Sequence, residues 1–515
     1  MLTTLVLLIA SVSLFFLKVV PVKMLPFDNK NEFQVVIDMP ETATLEETAA
    51  VTKEIAAFVS TQDEVLNCQT YVGTSAPISF NGLMRHYDLR KGENVADIQV
   101  NLTDKGDRSA QSHDIAKKMR KPIQEIAKRW GANAKVVEVP PGPPVLSTIV
   151  AEIYGPDYQE QIRVARQIKA IFDQTEGMVD TDVFIEDDQT EIRFDVDKEK
   201  AMLRGVAPAK ITENLRAAVS GKNVGVLHKE NTLSPIPIQL ELNNADKFSV
   251  EALKSLPVQN MQGQVVPLGD VTQVKEVIKE KSIWRKDQKR VVMVAADLAG
   301  SLESPIYAMM DVNKKLEEIK LPSGYDLTVL NSSQPETEDN YSMKWDGEWQ
   351  ITYEVFRDLG IAFAVALIII YLLIVGWFQS FMVPVVMLTA IPLSLIGIVV
   401  GHWVMGAYFS ATSMIGFIAL AGVMVRNSVL LIDFIDIRLK EGIPLTEAVI
   451  EAGAVRTLPI VLTAGTVVLG AIVILFDPLF QGLAISLMGG TITSTVLTLV
   501  VVPLLYYKML RNKIK

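Results

Sequence analysis

The chain has 515 residues, of which 49% are hydrophobic, with a formal net charge of −10 at pH 7 and a mean hydropathy of +0.28. This composition is too apolar for an ordinary soluble protein and is typical of a membrane protein with large water-exposed parts. The acidic balance argues against a nucleic-acid-binding protein, and a single cysteine, Cys68, excludes an internal disulfide.

The chain opens with an apolar stretch, residues 2–22, that is long enough to cross the hydrocarbon layer of a membrane. A signal peptide is the alternative, but the stretch lacks a basic amino-terminal region and a small-residue cleavage site. The run from Lys18 to Lys23 is more typical of the outer edge of a span. We therefore expect residues 1–22 to form an uncleaved transmembrane helix.

A polar region follows, and its first part, residues 23–145, predicts two βαβ pairs. Strands are expected at 33–38, 65–72, 97–102 and 134–139, and helices at about 44–59 and 113–130. Thr44 and Glu47 have the spacing of a capping box at the first helix. The order β-α-β-β-α-β predicts a ferredoxin-like subdomain.

The segment between the two halves of this subdomain, residues 74–92, is rich in glycine, proline and apolar side chains. Two interpretations are open: a flexible loop that faces a substrate, or a plain connector. If it faces a substrate, the candidate cleft residues are Phe80, Leu83, Met84 and Tyr87.

A proline-rich stretch at 140–144 marks a domain boundary, after which a second series begins. Its predicted elements are a strand at 147–154, a helix at 157–173, a strand at 179–186, a strand at 290–297, a helix at 305–319 and a strand at 325–330. Residues 146–190 and 281–335 are therefore predicted to form a second, split ferredoxin-like subdomain. Residues 191–280 form an inserted α/β subdomain, and residues 336–358 connect to the membrane.

Five further apolar stretches in the block 359–507 are long enough to span a membrane. They are residues 359–378, 382–405, 411–434, 458–476 and 483–507. With the first helix this gives six spans, arranged as one and five around the polar region. Lys and Arg follow the 411–434 span and occupy the tail, residues 508–515, whereas loops 404–410 and 477–482 have none. Both termini are therefore expected in the cytoplasm and the large domain outside.

Arg426 lies deep inside the 411–434 span, where a charge costs roughly 2.5–3.5 kcal/mol on insertion scales. Either its side chain reaches the interface, or it is an internal charge that faces neighbouring helices and serves an ion or proton path. Asp433 is about 10 Å away along the axis, too far for a direct partner. A guanidinium does not deprotonate, so a titrating carboxylate must come from elsewhere. Thr463 is explained by ordinary bonding of its hydroxyl to its own helix.

Several sequence motifs resemble those of the resistance–nodulation–division (RND) efflux permeases. They are the run Met414–Phe434, the segment Arg456-Thr-Leu-Pro-Ile-Val-Leu-Thr463, the segment Met488-Gly-Gly-Thr-Ile-Thr, and Met24-Leu-Pro-Phe-Asp28. With the one-plus-five layout, nearly the whole chain is similar to the C-terminal half of such a permease. The branch it resembles exports hydrophobic and amphiphilic compounds (multidrug, acriflavine-resistance type).

The resemblance implies a proton relay that includes Arg426, Asn427 and Thr463, with Arg426 at the place of a lysine in the multidrug branch. A pair of aspartates in the complementary N-terminal half would supply the titrating group. The resemblance also implies a substrate cleft between the two ferredoxin-like porter subdomains, and makes the inserted subdomain a docking subdomain. It implies a homotrimer in the bacterial inner membrane with a periplasmic adaptor and an outer-membrane channel, and no enzymatic activity, cofactor or resident metal.

Three functions remain open at this point. The leading one is half of a proton-driven exporter of hydrophobic or amphiphilic compounds. A heavy-metal exporter would need soft ligands in the cleft, and Met39, Met84, Met119 and Met178 do not fall where that branch has its methionine triad. The third is a membrane-anchored binding or assembly subunit without transport, which is motivated by the absence of an intramembrane carboxylate pair.

Overall fold

The computed structural model describes residues 2–139, 142, 145–230, 232, 234–247, 249–300, 302–317, 319, 321 and 325–514. The chain divides into two compact units, Met1–Ile185 with Ile283–Lys515, and Glu186–Ser282. The second unit begins five residues before and ends two residues after the predicted insertion at 191–280. Of the proline-rich stretch 140–144, only Gly142 is among the described residues.

The first unit begins with a helix that is shorter than the predicted span. Helix α1 (Leu2–Phe16) has 15 residues, whereas about 20 are needed to cross a bilayer. It is followed by a four-stranded sheet and its helices: β1 (Glu32–Asp38), α2 (Leu45–Val59), β2 (Val65–Thr74), α3 (Phe80–Arg85), β3 (Lys91–Leu102), α4 (Ser112–Arg129) and β4 (Asn133–Val137).

The strand order of this sheet, β2-β3-β1-β4, is that of a βαββαβ unit, and all three strand pairs are antiparallel. Alternate residues of β1, such as Val35 and Ile37, are fully buried against α2 and α4. The predicted capping box at α2 is present, because Thr44 accepts from the backbone of Glu47 and the Glu47 side chain bonds back.

A second sheet starts with β5 (Ile149–Tyr154), α5 (Tyr158–Asp173) and β6 (Met178–Val183). Asp157 caps α5 by accepting from Glu160 N. The chain then enters the second unit.

The second unit, Glu186–Ser282, consists of short elements around a small core. They are β7 (Thr190–Val196), α6 (Lys198–Leu203), α7 (Pro208–Ser220), β8 (Lys222–Leu227), β9 (Ile236–Leu240), α8 (Asn244–Lys247), α9 (Val250–Lys254), β10 (Pro257–Gln259), β11 (Val265–Pro267) and β12 (Thr272–Ile278). The strands pair antiparallel as β7 with β12, β8 with β9, and β10 with β11. Ile211, Val258 and Val271 are buried at the centre of the unit.

The chain returns to the second sheet and completes it with a strand that the sequence did not predict. The remaining elements are β13 (Arg285–Lys286), β14 (Lys289–Arg290), β15 (Val292–Leu298), α10 (Pro305–Leu316), β16 (Thr328–Leu330) and β17 (Ser342–Gly347). The sheet order is β16-β17-β5-β15-β6, with β17 antiparallel to β5 and only the short edge strand β16 parallel to β17.

Residues 336–358 are therefore not simply a connector, and the predicted last strand at 325–330 lies at the edge of the sheet. Strand β17 alternates Met343 and Trp345, which enter the core, with Lys344 and Asp346 on the other face. This alternation is the period of a strand with one buried apolar face. Because two of its residues are charged, the sequence of this segment is typical of a polar linker.

The membrane helices are α11 (Glu348–Phe378), α12 (Met382–Leu388), α13 (Ala390–Met405), α14 (Ala411–Lys440), α15 (Leu445–Ile474) and α16 (Gln481–Ile514). Helices α12 and α13 are two parts of one span, Met382–Met405, so five spans are long and apolar enough to cross a membrane among the residues described. Helix α1 is the shorter apolar helix, and it packs against α13. Six spans therefore remain a prediction.

Candidate functional site

The two sheets of the first unit meet at a crevice lined by charged side chains. Arg85 from α3, Lys135 from β4, Asp180 and Asp182 from β6, and Asp297 from β15 line it. The free volume inside is only about 10 Å³, which is room for no more than one water molecule. The crevice between the two predicted porter subdomains is thus closed by ion pairs.

Asp297 is the most heavily bonded of these carboxylates. It accepts from Arg85 Nη1 at 2.7 Å, from Ser147 Oγ at 2.7 Å, and from Thr148 N and Oγ1 at 3.0 and 2.9 Å. Burial alone would raise the pKa of Asp297, but the charge of Arg85 and these hydrogen bonds outweigh it and hold that pKa well below its usual range. Asp297 is therefore ionised, and its bond to Arg85 joins α3 to the second sheet.

Two further ion pairs cross the same crevice. Lys135 binds Asp182 of the second sheet and Asp38 of the first, and Arg120 of α4 binds Asp180. Burial would lower the pKa of Lys135, but the carboxylates of Asp182 and Asp38 raise it instead. Removing one member of such a buried pair costs several kcal/mol because the other charge is left without a partner.

The four predicted cleft residues lie on or beside α3, and the structure brings only one of them to the crevice. Tyr87 lines it, and burial raises the pKa of its hydroxyl. Phe80 and Leu83 are exposed, and Met84 is half-buried. The segment is neither a loop without structure nor a plain connector, because Ser79 caps a helical turn whose Arg85 is anchored at Asp297.

Arg85 and Asp297 are among the site residues that sequence reasoning missed. They are 212 positions apart in the chain, so only the folded sheets bring them together. No local signal marked Arg85, because the same segment also carries the charged residues Asp88, Arg90 and Lys91.

Arg426 lies near the middle of α14, on a face that the described helices leave uncovered. From Ile415 to Leu430 the exposed residues of α14 recur every three or four positions, as Ile415, Ala419, Gly422, Arg426 and Leu430, and Ile437 follows two turns later. The prediction that Arg426 faces neighbouring helices is therefore not met within this chain. Among the residues that the structure describes, no hydrogen bond or ion pair involves its guanidinium. Asp433 is half-buried on the same helix.

The other two predicted relay residues are arranged differently. Asn427 is 7% exposed, so it turns toward the helices of this chain and away from the uncovered face. The Thr463 hydroxyl donates to the backbone oxygens of Pro459 and Ile460 at 2.7 and 3.0 Å. This is the ordinary bonding of a threonine to its own helix, and the structure does not bring Thr463 into a bond with Arg426.

Soft metal ligands are not gathered at the crevice. None of its lining residues in the described ranges is methionine, cysteine or histidine. Met39 and Met119 are buried in the core of the first sheet, and Met178 in that of the second. In the parts of the chain that are described, no group of three or more His, Cys, Asp or Glu residues has the arrangement of a metal site.

Comparisons with known proteins agree on one family. The AcrB/AcrD/AcrF family matches residues 1–510. The swarming motility protein SwrC of Bacillus subtilis is 27% identical over 363 residues, which cover 69% of this chain and 32% of that protein. The cobalt-zinc-cadmium resistance protein CzcA of Cupriavidus metallidurans is 25% identical over 372 residues, 70% of this chain and 33% of CzcA.

The solved structure of a heavy metal efflux pump, crystal form I, has a TM-score of 0.78 and 21% sequence identity, and it covers 98% of this chain and 50% of the pump. At this identity the likeness concerns the fold. The matched regions thus cover about a third of the length of SwrC and of CzcA, and this chain covers about half of the solved efflux pump.

Proposed function

The chain belongs to the AcrB/AcrD/AcrF family of RND permeases, and from this premise we propose that it is one half of a proton-driven efflux transporter. The observation that carries the proposal is the uncovered face of α14, with Arg426 at its centre. A complementary half covers this face and places a titrating carboxylate next to the guanidinium. The carboxylate binds Arg426 when ionised and releases it when protonated, and this alternation drives the porter subdomains.

The charge of Arg426 supports this proposal energetically. An arginine at the centre of a span that faced acyl chains would cost roughly 2.5–3.5 kcal/mol even on the mildest scale. Pairing with a carboxylate of a second polypeptide segment removes this cost and seals an otherwise apolar helix face. Asn427, the next residue, lies buried on the inward face of the same helix.

In this proposal, the substrate enters and leaves through the closed crevice. When the three ion pairs that cross it separate, the two sheets can part and admit a substrate, and their re-formation expels it. Tyr87 is at the crevice, and the exposed Phe80 and Leu83 lie at the same segment of chain. Apolar side chains next to a charged crevice fit hydrophobic or amphiphilic compounds, which is the substrate class we propose.

Export of heavy-metal ions is the second candidate, since CzcA and the solved efflux pump are named for metals. The crevice offers carboxylates in place of soft ligands, so such a cargo would be a harder divalent cation. A third candidate, a binding or assembly subunit without transport, is favoured only if no complementary half exists. We further propose a homotrimeric inner-membrane complex with both termini cytoplasmic, joined to an adaptor and an outer-membrane channel.

The test is export from cells that produce this chain together with its complementary half. We expect Arg426→Ala to abolish export of amphiphilic dyes while the protein level stays unchanged. The matched control is Arg438→Gln on the same helix, whose side chain pairs with Glu441 and Glu451 outside the uncovered face. Dye export that survives Arg426→Ala would refute the relay. Export of Co²⁺ or Zn²⁺ without any dye export would replace the substrate class.

A further inference from the structure

A second, larger cavity of about 620 Å³ lies in the first unit, where the sheets meet the membrane helices. Five parts of the chain line it: the stretch after α1 (residues 23–27), the start of α4, Gly300 with Glu303 before α10, and the loops that follow α13 and α15. None of these segments contributes to the charged crevice between the sheets.

The charged side chains that line this cavity are predominantly cationic. Lys23, His113 and Lys117 surround one carboxylate, Glu303, with His113 Nε2 at 2.9 Å and Lys117 Nζ at 2.6 Å. Glu138 takes the other ring nitrogen of His113 at 2.8 Å but does not line the cavity. Burial would lower the pKa of His113, but its bonds to Glu138 and Glu303 raise it to about 9. The three positive groups thus outnumber the two carboxylates that bind them by one charge.

A helix end adds to the positive potential. The first residue of α16, Gln481, lines the cavity, and so do Gln111 and His113 at the start of α4. The amino-terminal end of a helix carries a partial positive charge and unpaired backbone N–H groups. Because the Asp477 carboxylate caps the α16 end by accepting from Leu479 N and Phe480 N, the start of α4 is the helix end that adds to the cationic side chains of the cavity.

An apolar groove of about 390 Å³ adjoins this cavity. It lies between α13 and α16, and Met405 and Leu475 line both the groove and the cavity. Along α13 the groove extends from Ile396 to Met405, which is about 13 Å at 1.5 Å per residue. One leaflet of the hydrocarbon layer is about 15 Å thick. The groove therefore has the length of the acyl chain of a single leaflet.

We propose that the groove and cavity together bind one membrane phospholipid with an anionic headgroup. An acyl chain lies between α13 and α16, and the headgroup phosphate binds at Lys117, the most exposed of the three cations that line the cavity, next to His113 and Lys23. The site is distinct from the crevice and from Arg426, and it does not depend on the proposed transport. It ties the membrane helices to α4 and to Glu303 before α10 through a bound lipid.

The test is native mass spectrometry of the purified chain in detergent micelles, titrated with phosphatidylglycerol or phosphatidylcholine. We expect phosphatidylglycerol to bind about tenfold more tightly, because both lipids carry the phosphate but the quaternary ammonium of phosphatidylcholine is repelled by the cationic side chains. Lys117→Gln should remove this preference, because Lys117 is accessible at the cavity (34% exposed). The control is Lys118→Gln on the next residue, which is 62% exposed and pairs with Glu64.

The groove is tested with two tryptophan variants. Val400→Trp places a large side chain in the groove from a partly exposed position, and Val473→Trp, on the exposed face of α15, is the control. We expect the first variant to lose bound lipid and the second to retain it. Equal binding of both lipids would overturn the anionic site. Displacement of the lipid by glycerol phosphate at the same concentration would show that the groove plays no part, and would also overturn the proposal.

Discussion

Replacement of Asp297 by asparagine should loosen the crevice between the two sheets. Asparagine keeps the shape of the side chain and an oxygen that can accept from Ser147 and Thr148, but it removes the charge opposite Arg85. Arg85 is 4% exposed, so its guanidinium would be left buried without a counter-charge. Breaking a buried pair in this way costs about 3–5 kcal/mol.

The effect should appear as local opening, measured by hydrogen exchange of the amides in residues 79–90. A loss of about 3–5 kcal/mol raises the population of the open state by roughly two to four orders of magnitude. The double variant Arg85→Met with Asp297→Asn should recover much of the protection, because no buried charge is then unpaired. Asp173→Asn is the control, since Asp173 pairs with Lys169 at the surface and should change protection by less than about 1 kcal/mol. Equal exchange in the wild type and Asp297→Asn would refute the role of the pair.

Four other predictions concern separate parts of the molecule. Arg426→Lys should retain substantial export in the co-expression assay, because it keeps the positive charge; complete loss would mean that the guanidinium geometry is required. The chain produced alone should export nothing, and drug resistance from it would contradict the need for a second half. The pKa of His113, about 9 in the folded protein against an ordinary value of 6.5, contributes stability that is complete below pH 6.5 and is lost as the pH rises through 9. Between about pH 6 and pH 10, the free energy of unfolding of the wild type should therefore fall by on the order of 3 kcal/mol more than that of His113→Gln, measured by thermal unfolding at each pH. Gly397→Ala should lower the melting temperature, at a cost of about 1–3 kcal/mol, because its Cβ would meet Thr493 and the backbone of Gly489; Gly465→Ala, which has open space, should not.

Local features of the fold were readable from the sequence because neighbouring residues determine them. Thr44 and Glu47 form the capping box that their spacing predicts, and α10 begins at Pro305, where the predicted helix at 305–319 begins. The five long apolar stretches are helices, since a run of that length can satisfy its backbone in a membrane only internally.

Features that depend on distant residues were not readable. Strand β17 was missed because Lys344 and Asp346 look like linker residues until Glu152 of β5 is placed beside them. The Arg85–Asp297 pair joins segments that no local pattern connects. The surroundings of Arg426 depend on what covers α14, and the described residues of this chain do not cover it.

The two ends of the second unit leave it side by side. Thr190 faces Ile278 in the β7–β12 ladder, and Asp188 and Lys281 extend the pairing with an ion pair of 2.7 Å. Paired strands are about 5 Å apart, a gap that a tight turn of about two to five residues can close. Because its two ends adjoin, this unit can be removed, enlarged or replaced by another without a change in the path of the rest of the polypeptide.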